Sequence, residues 1–303
     1  MHNVLVLGAS GMLGSMLATE LSRQPDVRLT LTEVFPKIVE KMYEAFPGVD
    51  VFPFDARRPD ETILNGQQWI VNAIGIIKQN MRAGNAVDDR LAIDINAVFP
   101  HWLGEAAERH GTRVIQIATD CVYSGAKGQY VEPDFHDALD VYGKTKSLGE
   151  VPLPSMTHLR CSIIGPEAAG RRSLLEWFLG QPKGAEVTGF TNHHWNGVTT
   201  LHYARLCLGM IRNPTLEVPP MQHVVAGEAM SKYEMLKAFA EGWGRDDIVI
   251  HSGEGGTSID RTLATDKPEI NAALWRAAGY DHPPSVGEMI AELAAYDYRL
   301  KFD

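Results

Sequence analysis

A glycine-rich loop near the start of the chain constrains the fold more than any other feature. It reads Gly8-Ala9-Ser10-Gly11-Met12-Leu13-Gly14, between a short apolar run at residues 3–7 and a helical pattern at residues 15–23. In a strand–loop–helix context, glycines let the backbone approach a pyrophosphate, and the helix N-terminus supplies amides and partial positive charge. The spacing is G-x-x-G-x-x-G rather than the commoner G-x-G-x-x-G, and the alternative is a plain tight turn. We predict a dinucleotide-binding loop whose contacts are Gly8, Ser10, Gly11, Met12, Leu13 and Gly14.

Strands and helices alternate through the first half of the chain. The pattern predicts further strands at residues 27–32, 49–54, 69–73, 113–118 and 159–164, and a helix over residues 88–109 that Pro100 kinks or restarts. This alternation predicts an α/β protein with a Rossmann-type, doubly wound parallel sheet. Ligands of such sheets bind at the carboxyl ends of the strands. The residues that follow predicted strands are Gly8, Asp55, Asn72, Thr119 and Gly165.

The second half of the chain is less regular. Helices are predicted at residues 174–179, from Thr199 or Thr200 to 211, at 231–243 and at 285–298. We expect an NAD(P)-binding Rossmann domain at residues 1–165, with a returning segment at about 191–212. Residues 166–303 are expected to form a smaller α/β substrate-binding lobe.

Charge and cysteine content narrow the class of protein. The formal net charge of −10 argues against a nucleic-acid-binding surface, and no run approaches the ~20 apolar residues of a membrane span. The three cysteines are widely spaced, without a C-x-x-C pair, which favours reduced thiols over a disulfide framework. The N-terminal apolar run is too short for a signal peptide. We therefore expect a cytoplasmic protein with no nucleic-acid or membrane partner, and on general priors a homodimer.

Tyr142 and Lys146 are the candidate acid–base pair. Four residues apart on a helix, they project from the same face. An ammonium beside a phenol favours the phenolate and lowers a pKa that starts near about 10. With nine tyrosines in the chain, this spacing arises by chance in roughly four chains out of ten, and an exposed charged helix is the alternative. Whether Tyr142 and Lys146 form a catalytic pair therefore depends on the residues around them.

The order of these motifs resembles a known superfamily. The segments that carry the resemblance are the glycine loop, Ala118-Thr119-Asp120-Cys121-Val122-Tyr123-Ser124-Gly125, Val141-Tyr142-Gly143-Lys144-Thr145-Lys146-Ser147-Leu148-Gly149-Glu150 and Leu159-Arg160-Cys161-Ser162. Together they resemble the extended, nucleotide-sugar-modifying branch of the short-chain dehydrogenase/reductase superfamily, and within it the dTDP-4-dehydrorhamnose reductase type. The likeness is strong over residues 1–165 and looser beyond, where Asn196-Gly197-Val198-Thr199-Thr200 resembles the returning segment. Cys121 departs from the family pattern, which has an aromatic residue there.

The resemblance implies NAD(P)H-dependent reduction of a nucleotide-linked 4-keto-6-deoxy sugar. Tyr142 would protonate the developing oxygen, Lys146 would hold the nicotinamide ribose and lower the pKa of Tyr142, and Thr119 would hydrogen-bond the carbonyl. The nicotinamide carries the hydride. The implied cofactor contacts, besides the glycine loop, Tyr142 and Lys146, are Thr32, Glu33, Asp55, Ala56, Asn72, Ala73, Ile74 and Asn96. The implied substrate contacts are Asp120, Cys121, Val122, Asn192, Trp195 and Arg261.

Several alternatives stay open at the level of sequence. Glu33 stands about 20 residues beyond the loop, where an acid favours NAD, but Thr32 could take its place, so the choice between NADP and NAD is unresolved. Cys121 stands where related dehydratases carry a catalytic Glu, which argues against elimination. A sugar-nucleotide epimerase uses the same Thr, Tyr and Lys, and a non-catalytic cofactor-binding regulatory subunit is a further alternative. Trp195 is either core or a nucleobase-stacking surface, and no metal site is expected at the neighbouring histidines.

Overall fold

A seven-stranded parallel sheet organises the chain, in a computed structural model that describes residues 1–298 and residue 300. The strands are β1 (His2–Leu7), β2 (Val27–Glu33), β3 (Asp50–Pro53), β4 (Trp69–Asn72), β5 (Arg113–Ala118), β6 (Met156–Arg160), β7 (Ile163–Ile164), β8 (Glu186–Phe190), β9 (His193–Trp195), β10 (Val198–Thr199), β11 (Met221–His223), β12 (Met230–Ser231), β13 (Val249–Gly253) and β14 (Ile259–Asp260). The sheet order is β11-β6-β5-β4-β1-β2-β3, with all neighbours parallel. The order reverses beside β1, which creates the crevice where doubly wound sheets bind ligands.

Helices cover both faces of this sheet. They are α1 (Met12–Ser22), α2 (Pro36–Ala45), α3 (Ala86–Ile93), α4 (Phe99–His110), α5 (Val141–Leu148), α6 (Leu174–Leu179), α7 (Thr200–Arg212), α8 (Lys232–Trp243), α9 (Pro268–Ala277) and α10 (Val286–Ala295). A π-helical turn, Asp94–Val98, joins α3 to α4. Among the described residues, no helix combines the length and apolar character that crossing a membrane requires.

Strand β1 packs against helices on both faces of the sheet. Its apolar residues are fully buried, and they alternate between two clusters. Val4 and Val6 belong to a core that includes residues of α1 and α7, whereas Leu5 and Leu7 pack in a second core with residues of α4. Burial on both faces is why the strand reads as a continuous apolar run rather than an alternating one.

The predicted elements are largely present, with instructive differences. The predicted strand at 159–164 is divided into β6 and β7, and the predicted helix at 88–109 is interrupted by the π-helical turn. Pro100 is the second residue of α4, and the π-helical turn directly before it contains Asn96, the residue four positions earlier whose carbonyl a proline ring crowds, so the predicted restart of the helix is present. Helices α2 and α9 were not predicted.

The second half of the chain builds a lobe and also completes the sheet. Short sheets with the orders β12-β9-β14 and β13-β8 form the lobe, together with α8. Helix α7 packs on α1, and β11 pairs with β6 at the sheet edge. The sheet therefore uses residues 221–223, which lie beyond the returning segment predicted at 191–212.

Candidate functional site

The glycine loop joins β1 to α1 at the crevice. Helix α1 begins at Met12 without a side-chain cap, so no side chain occupies its first-turn amides. A Cβ on Gly14 would lie 2.0 Å from the carbonyl oxygen of Gly8, so only glycine lets the helix start this close to the strand. An uncapped helix N-terminus at the end of β1 fits a diphosphate. The predicted contacts at Ser10, Met12 and Leu13 lie in the same turn.

Glu33 and Thr32 have different tasks at the end of β2. The Thr32 hydroxyl accepts from Gly8 N at 3.3 Å and donates to Val6 O at 3.4 Å, so it ties the loop to the sheet. The carboxylate of Glu33 accepts hydrogen bonds from the Ser10 hydroxyl and, at 3.1 Å, from the Phe35 amide. Glu33 is therefore the better placed of the two to bind an adenosine ribose.

Two other predicted cofactor contacts follow β3. Asp55 pairs with Arg57 at 2.8 Å, and this guanidinium holds the pKa of the Asp55 carboxyl below its usual range. Ala56 is buried. Both remain predictions as cofactor contacts.

Two asparagines shape the loop after β4. Asn72 donates to Gln116 at 2.8 Å and accepts from the Ile74 amide at 3.1 Å. Asn96, in the π-helical turn, accepts from Ile76 N and donates to Ile76 O, each at 2.9 Å. Both side chains therefore fix the course of the segment that includes Ala73 and Ile74. Direct contact of these four residues with a cofactor remains a prediction.

The Thr119 loop and α5 meet at the carboxyl end of β5. The Thr119 hydroxyl accepts from Cys121 N at 3.2 Å and caps a short 3₁₀ turn, Asp120–Val122. Helix α5 is capped by Asp140, which accepts from Gly143 N at 2.8 Å. A Cβ on Gly143 would lie 2.6 Å from the Cys121 carbonyl oxygen, so glycine lets the helix pass against the loop. The Thr119 hydroxyl itself donates to Oδ1 of Asp120 at 3.2 Å, and its side chain acts on the pKa of Tyr142.

The pKa of Tyr142 in the structure differs from the value that its spacing from Lys146 predicts. Burial raises the pKa of Tyr142 well above its ordinary value, the neighbouring acidic groups of Cys121 and Asp120 act in the same direction, and the Thr119 side chain opposes the rise. Burial also lowers the pKa of Lys146 to about 8, and its ammonium donates to Ile117 O at 3.0 Å. The expectation that the pKa of Tyr142 is lowered is therefore wrong for the folded chain by itself, because burial dominates the shift and the neighbouring acidic groups act in the same direction. At neutral pH the phenol holds its proton.

Three predicted substrate contacts follow Thr119. Asp120 and Cys121 are titratable groups with raised pKa values, whereas Val122 is an apolar residue of a buried cluster. Burial raises the pKa of the Asp120 carboxyl, and it raises the pKa of the Cys121 thiol to about 12, so that this thiol is neutral. Val122 is fully buried in a small cluster with Tyr123, Tyr130 and Leu263. Its side chain therefore anchors the loop, and its contact with a substrate remains a prediction.

The three substrate contacts predicted in the second half of the chain, Asn192, Trp195 and Arg261, lie in different surroundings. Asn192 uses both ends of its amide on Gly255, with distances of 2.8 and 2.9 Å, and so joins two loops. Trp195 is 6% exposed, which resolves its alternatives in favour of the core. Arg261 donates from Nε to Tyr123 O at 3.0 Å, and its charge acts on Asp120, so it lies beside the Thr119 loop; its contact with a substrate remains a prediction.

Lys232 lies close to the candidate site, which the sequence analysis did not predict. It opens α8, and its charge interacts with Asp120 and Cys121. The only sequence signal is the helix start at Ser231, whose side chain forms a capping box with Glu234. Nothing in the chain order indicates that this start faces a loop more than a hundred residues earlier.

The sequence matches a family model described as the RmlD substrate binding domain, over residues 1–269. Two curated relatives match shorter stretches. One is a dTDP-4-dehydrorhamnose reductase of Aggregatibacter actinomycetemcomitans, 28% identical over 151 residues, which are 50% of this chain and 46% of the relative. The other is a methionine adenosyltransferase 2 subunit beta of Danio rerio, 30% identical over 145 residues, 45% of each chain. The alignments thus span about half the length of these relatives.

Solved structures share the fold over nearly the whole chain. A dTDP-4-dehydrorhamnose reductase from Clostridium acetobutylicum has a TM-score of 0.72 at 19% identity, with 97% of this chain and 98% of that chain covered. One from Bacillus anthracis, in complex with NADP, scores 0.71 at 17% identity, covering 96% and 98%. A UDP-glucuronic acid 4-epimerase from Bacillus cereus, in complex with NAD, scores 0.70 at 17% identity, covering 97% and 96%. At these identities the likeness shows the fold.

Proposed function

Since the chain belongs to the RmlD substrate-binding domain family, we propose that it is an NAD(P)H-dependent oxidoreductase that reduces the keto group of a nucleotide-linked 4-keto-6-deoxy sugar. The observation that carries the proposal is the meeting of Thr119, Tyr142 and Lys146 at the carboxyl end of β5. The dTDP-4-dehydrorhamnose reductase among the curated relatives supports the choice of substrate class.

The pKa of Tyr142 suits a proton donor. Because burial keeps the phenol protonated at neutral pH, Tyr142 has a proton to give to an oxygen that becomes negative. Thr119 would hydrogen-bond the same oxygen and orient the carbonyl. Bound nicotinamide supplies the hydride. Lys146 uses one N–H on Ile117 O, which leaves two N–H groups for hydroxyl acceptors.

The cofactor is proposed to lie across the crevice beside β1. The uncapped start of α1 would hold its diphosphate and Glu33 its adenosine ribose. The structural neighbours include complexes with NADP and with NAD, which supports a nicotinamide dinucleotide without choosing between them. We propose that residues 166–303 bind the nucleotide sugar.

The cellular setting is also a proposal. The three cysteines are free thiols, two of them buried, which supports a reducing compartment such as the cytoplasm. The family supports a role in deoxysugar biosynthesis. A homodimer remains an expectation.

Two other functions have a specific observation in their favour. A nucleotide-sugar 4-epimerase is among the structural neighbours, and it would need the same three side chains. A subunit of methionine adenosyltransferase is among the curated relatives, which favours the alternative of a subunit of another enzyme. The complete set of Thr119, Tyr142 and Lys146 favours catalysis over that role.

The test is a turnover screen with NADH and NADPH against a panel of 4-keto-6-deoxy-sugar nucleotides. We expect oxidation of the cofactor by the wild-type protein and a loss of about 100-fold or more in kcat for Tyr142→Phe. Tyr203→Phe is the matched control, a buried tyrosine whose hydroxyl has no hydrogen-bond partner within residues 1–298 and 300. Conversion of a non-keto sugar nucleotide without net oxidation would indicate an epimerase. Equal rates for Tyr142→Phe and wild type would contradict the catalytic proposal.

A further inference from the structure

Lys232 holds its ammonium at the edge of the candidate site, and its position is firmly fixed. It is the first residue of α8, directly after the capping box of Ser231 and Glu234. The preceding strand, β12, pairs with β9, with Met230 opposite Trp195. Two separate backbone constraints therefore set the start of the Lys232 side chain, which is largely shielded from solvent.

The ammonium of Lys232 lacks a strong acceptor from the protein. Its Nζ lies 5.5 Å from the ring centroid of Trp195 and 3.8 Å from Sδ of Met235. Within residues 1–298 and 300, no carboxylate oxygen lies within 4.0 Å of this nitrogen. An aromatic face and a thioether are weak partners for an ammonium that has three donors and is withdrawn from water.

Two cations, Lys232 and Arg261, lie close to the buried Asp120 carboxyl group. The charges of both act on the pKa of this carboxyl group. Arg261 already donates to Tyr123 O. The Cys121 thiol is neutral. Within residues 1–298 and 300, the hydrogen-bond acceptor of the Lys232 ammonium is the Met235 thioether, so this cation has donors that meet no protein oxygen.

We propose that Lys232 is a substrate-binding residue, whose ammonium donates to an oxygen of the sugar nucleotide next to the carbonyl that Thr119 and Tyr142 address. This inference rests on the proposed function. The acceptor is either an oxygen of the sugar ring substituents or an oxygen of the diphosphate, since both offer the same chemistry to an ammonium. The contact would fix the sugar relative to the proton donor.

The first experiment compares Lys232→Met with Lys237→Met in steady-state kinetics. Lys237 is a matched control, because it lies on the same helix with its Nζ 5.6 Å from the Tyr233 ring, but it is exposed. We expect Lys232→Met to raise the KM for the sugar nucleotide tenfold or more without changing the KM for the cofactor, and Lys232→Arg to restore part of the loss. A KM for the sugar nucleotide within twofold of wild type would overturn the proposal.

Binding without turnover separates this proposal from the proposed function. The holoprotein is treated with an amine-reactive succinimidyl ester, and labelling of Lys232 and Lys237 is mapped by mass spectrometry, with dTDP, UDP, dTDP-glucose or UDP-glucose present. Protection of Lys232 by a sugar nucleotide but not by its nucleoside diphosphate identifies a sugar oxygen, and protection by both identifies the diphosphate. If a sugar nucleotide protects Lys232 from labelling but the protein reduces no keto sugar, the Lys232 contact stands and the proposed reductase activity is rejected. Equal labelling of Lys232 with and without all four compounds would overturn the contact.

Discussion

The ammonium of Lys146 donates a hydrogen bond to the backbone carbonyl of Ile117, with the nitrogen and oxygen 3.0 Å apart. This bond joins α5 to β5 beneath the Thr119 loop. Lys146 is 8% exposed, and burial lowers its pKa from 10.5 to about 8. The fold therefore holds a charged lysine at neutral pH in a place that disfavours the charge, as functional sites often do.

Lys146→Met should stabilise the protein while abolishing its activity. Below about pH 8 both folded and unfolded chains carry the proton, so the burial penalty is fully present; above about pH 10.5 neither does, and the penalty is gone. Allowing for the lost hydrogen bond, we expect a gain of ~2 kcal/mol at pH 7, which shrinks between pH 8 and 10.5. Urea denaturation at pH 7 and 10 measures this, with the exposed Lys144→Met as control. A destabilised Lys146→Met at pH 7 would contradict it.

Glu33 should set the cofactor preference. Its carboxylate is 4% exposed and bonded to Ser10, so it stands beside the proposed ribose position and repels a 2′-phosphate. We expect wild type to prefer NADH. Glu33→Gln should shift the ratio of kcat/KM values toward NADPH by about tenfold, or ~1.4 kcal/mol. Glu40→Gln, exposed on α2, is the control. Wild-type preference for NADPH, unchanged in Glu33→Gln, would exclude this role.

Arg160 should be the costliest arginine to remove. It is 1% exposed, pairs with Glu150 and donates to Nε2 of His223 at 2.7 Å. Arg160→Met leaves that carboxylate buried without its partner, which typically costs about 3–5 kcal/mol in the free energy of unfolding. Arg109→Met removes an exposed pair with Glu61 and should cost less than about 1 kcal/mol. Urea titrations of both variants give the comparison, and equal losses would refute it.

Gly14→Ala should destabilise the protein although alanine favours helices. The added Cβ would lie 2.0 Å from the Gly8 carbonyl oxygen and 2.8 Å from the Cα of Ala9, both backbone atoms that cannot yield cheaply. Overpacking of this kind costs about 1–3 kcal/mol, more than the gain in propensity. Gly256→Ala is the control, because its Cβ would meet nothing within 4 Å. Thermal unfolding distinguishes the two. A Gly14→Ala protein as stable as the control would show that the loop can shift.

Local rules explain where sequence analysis succeeded and where it failed. The glycine loop, the strand ends and the four-residue spacing of Tyr142 and Lys146 are short-range patterns, and the structure contains each of them. The interruption at Pro100 was predicted, but its π-helical form was not, because a π-helical turn leaves no composition signal. The burial of the Val122 side chain was not predicted, because adjacency to Thr119 in sequence does not decide which way a side chain points.

The sequence by itself determined the α/β architecture, the nucleotide loop and the residues that meet at the end of β5, because apolar periodicity and glycine positions act over a few residues. Only the tertiary structure decided the electrostatics. Burial set the direction of the pKa shifts of Tyr142 and Lys146, and long-range packing brought Lys232 to Asp120. Desolvation depends on everything that surrounds a group, and those neighbours come from distant parts of the chain.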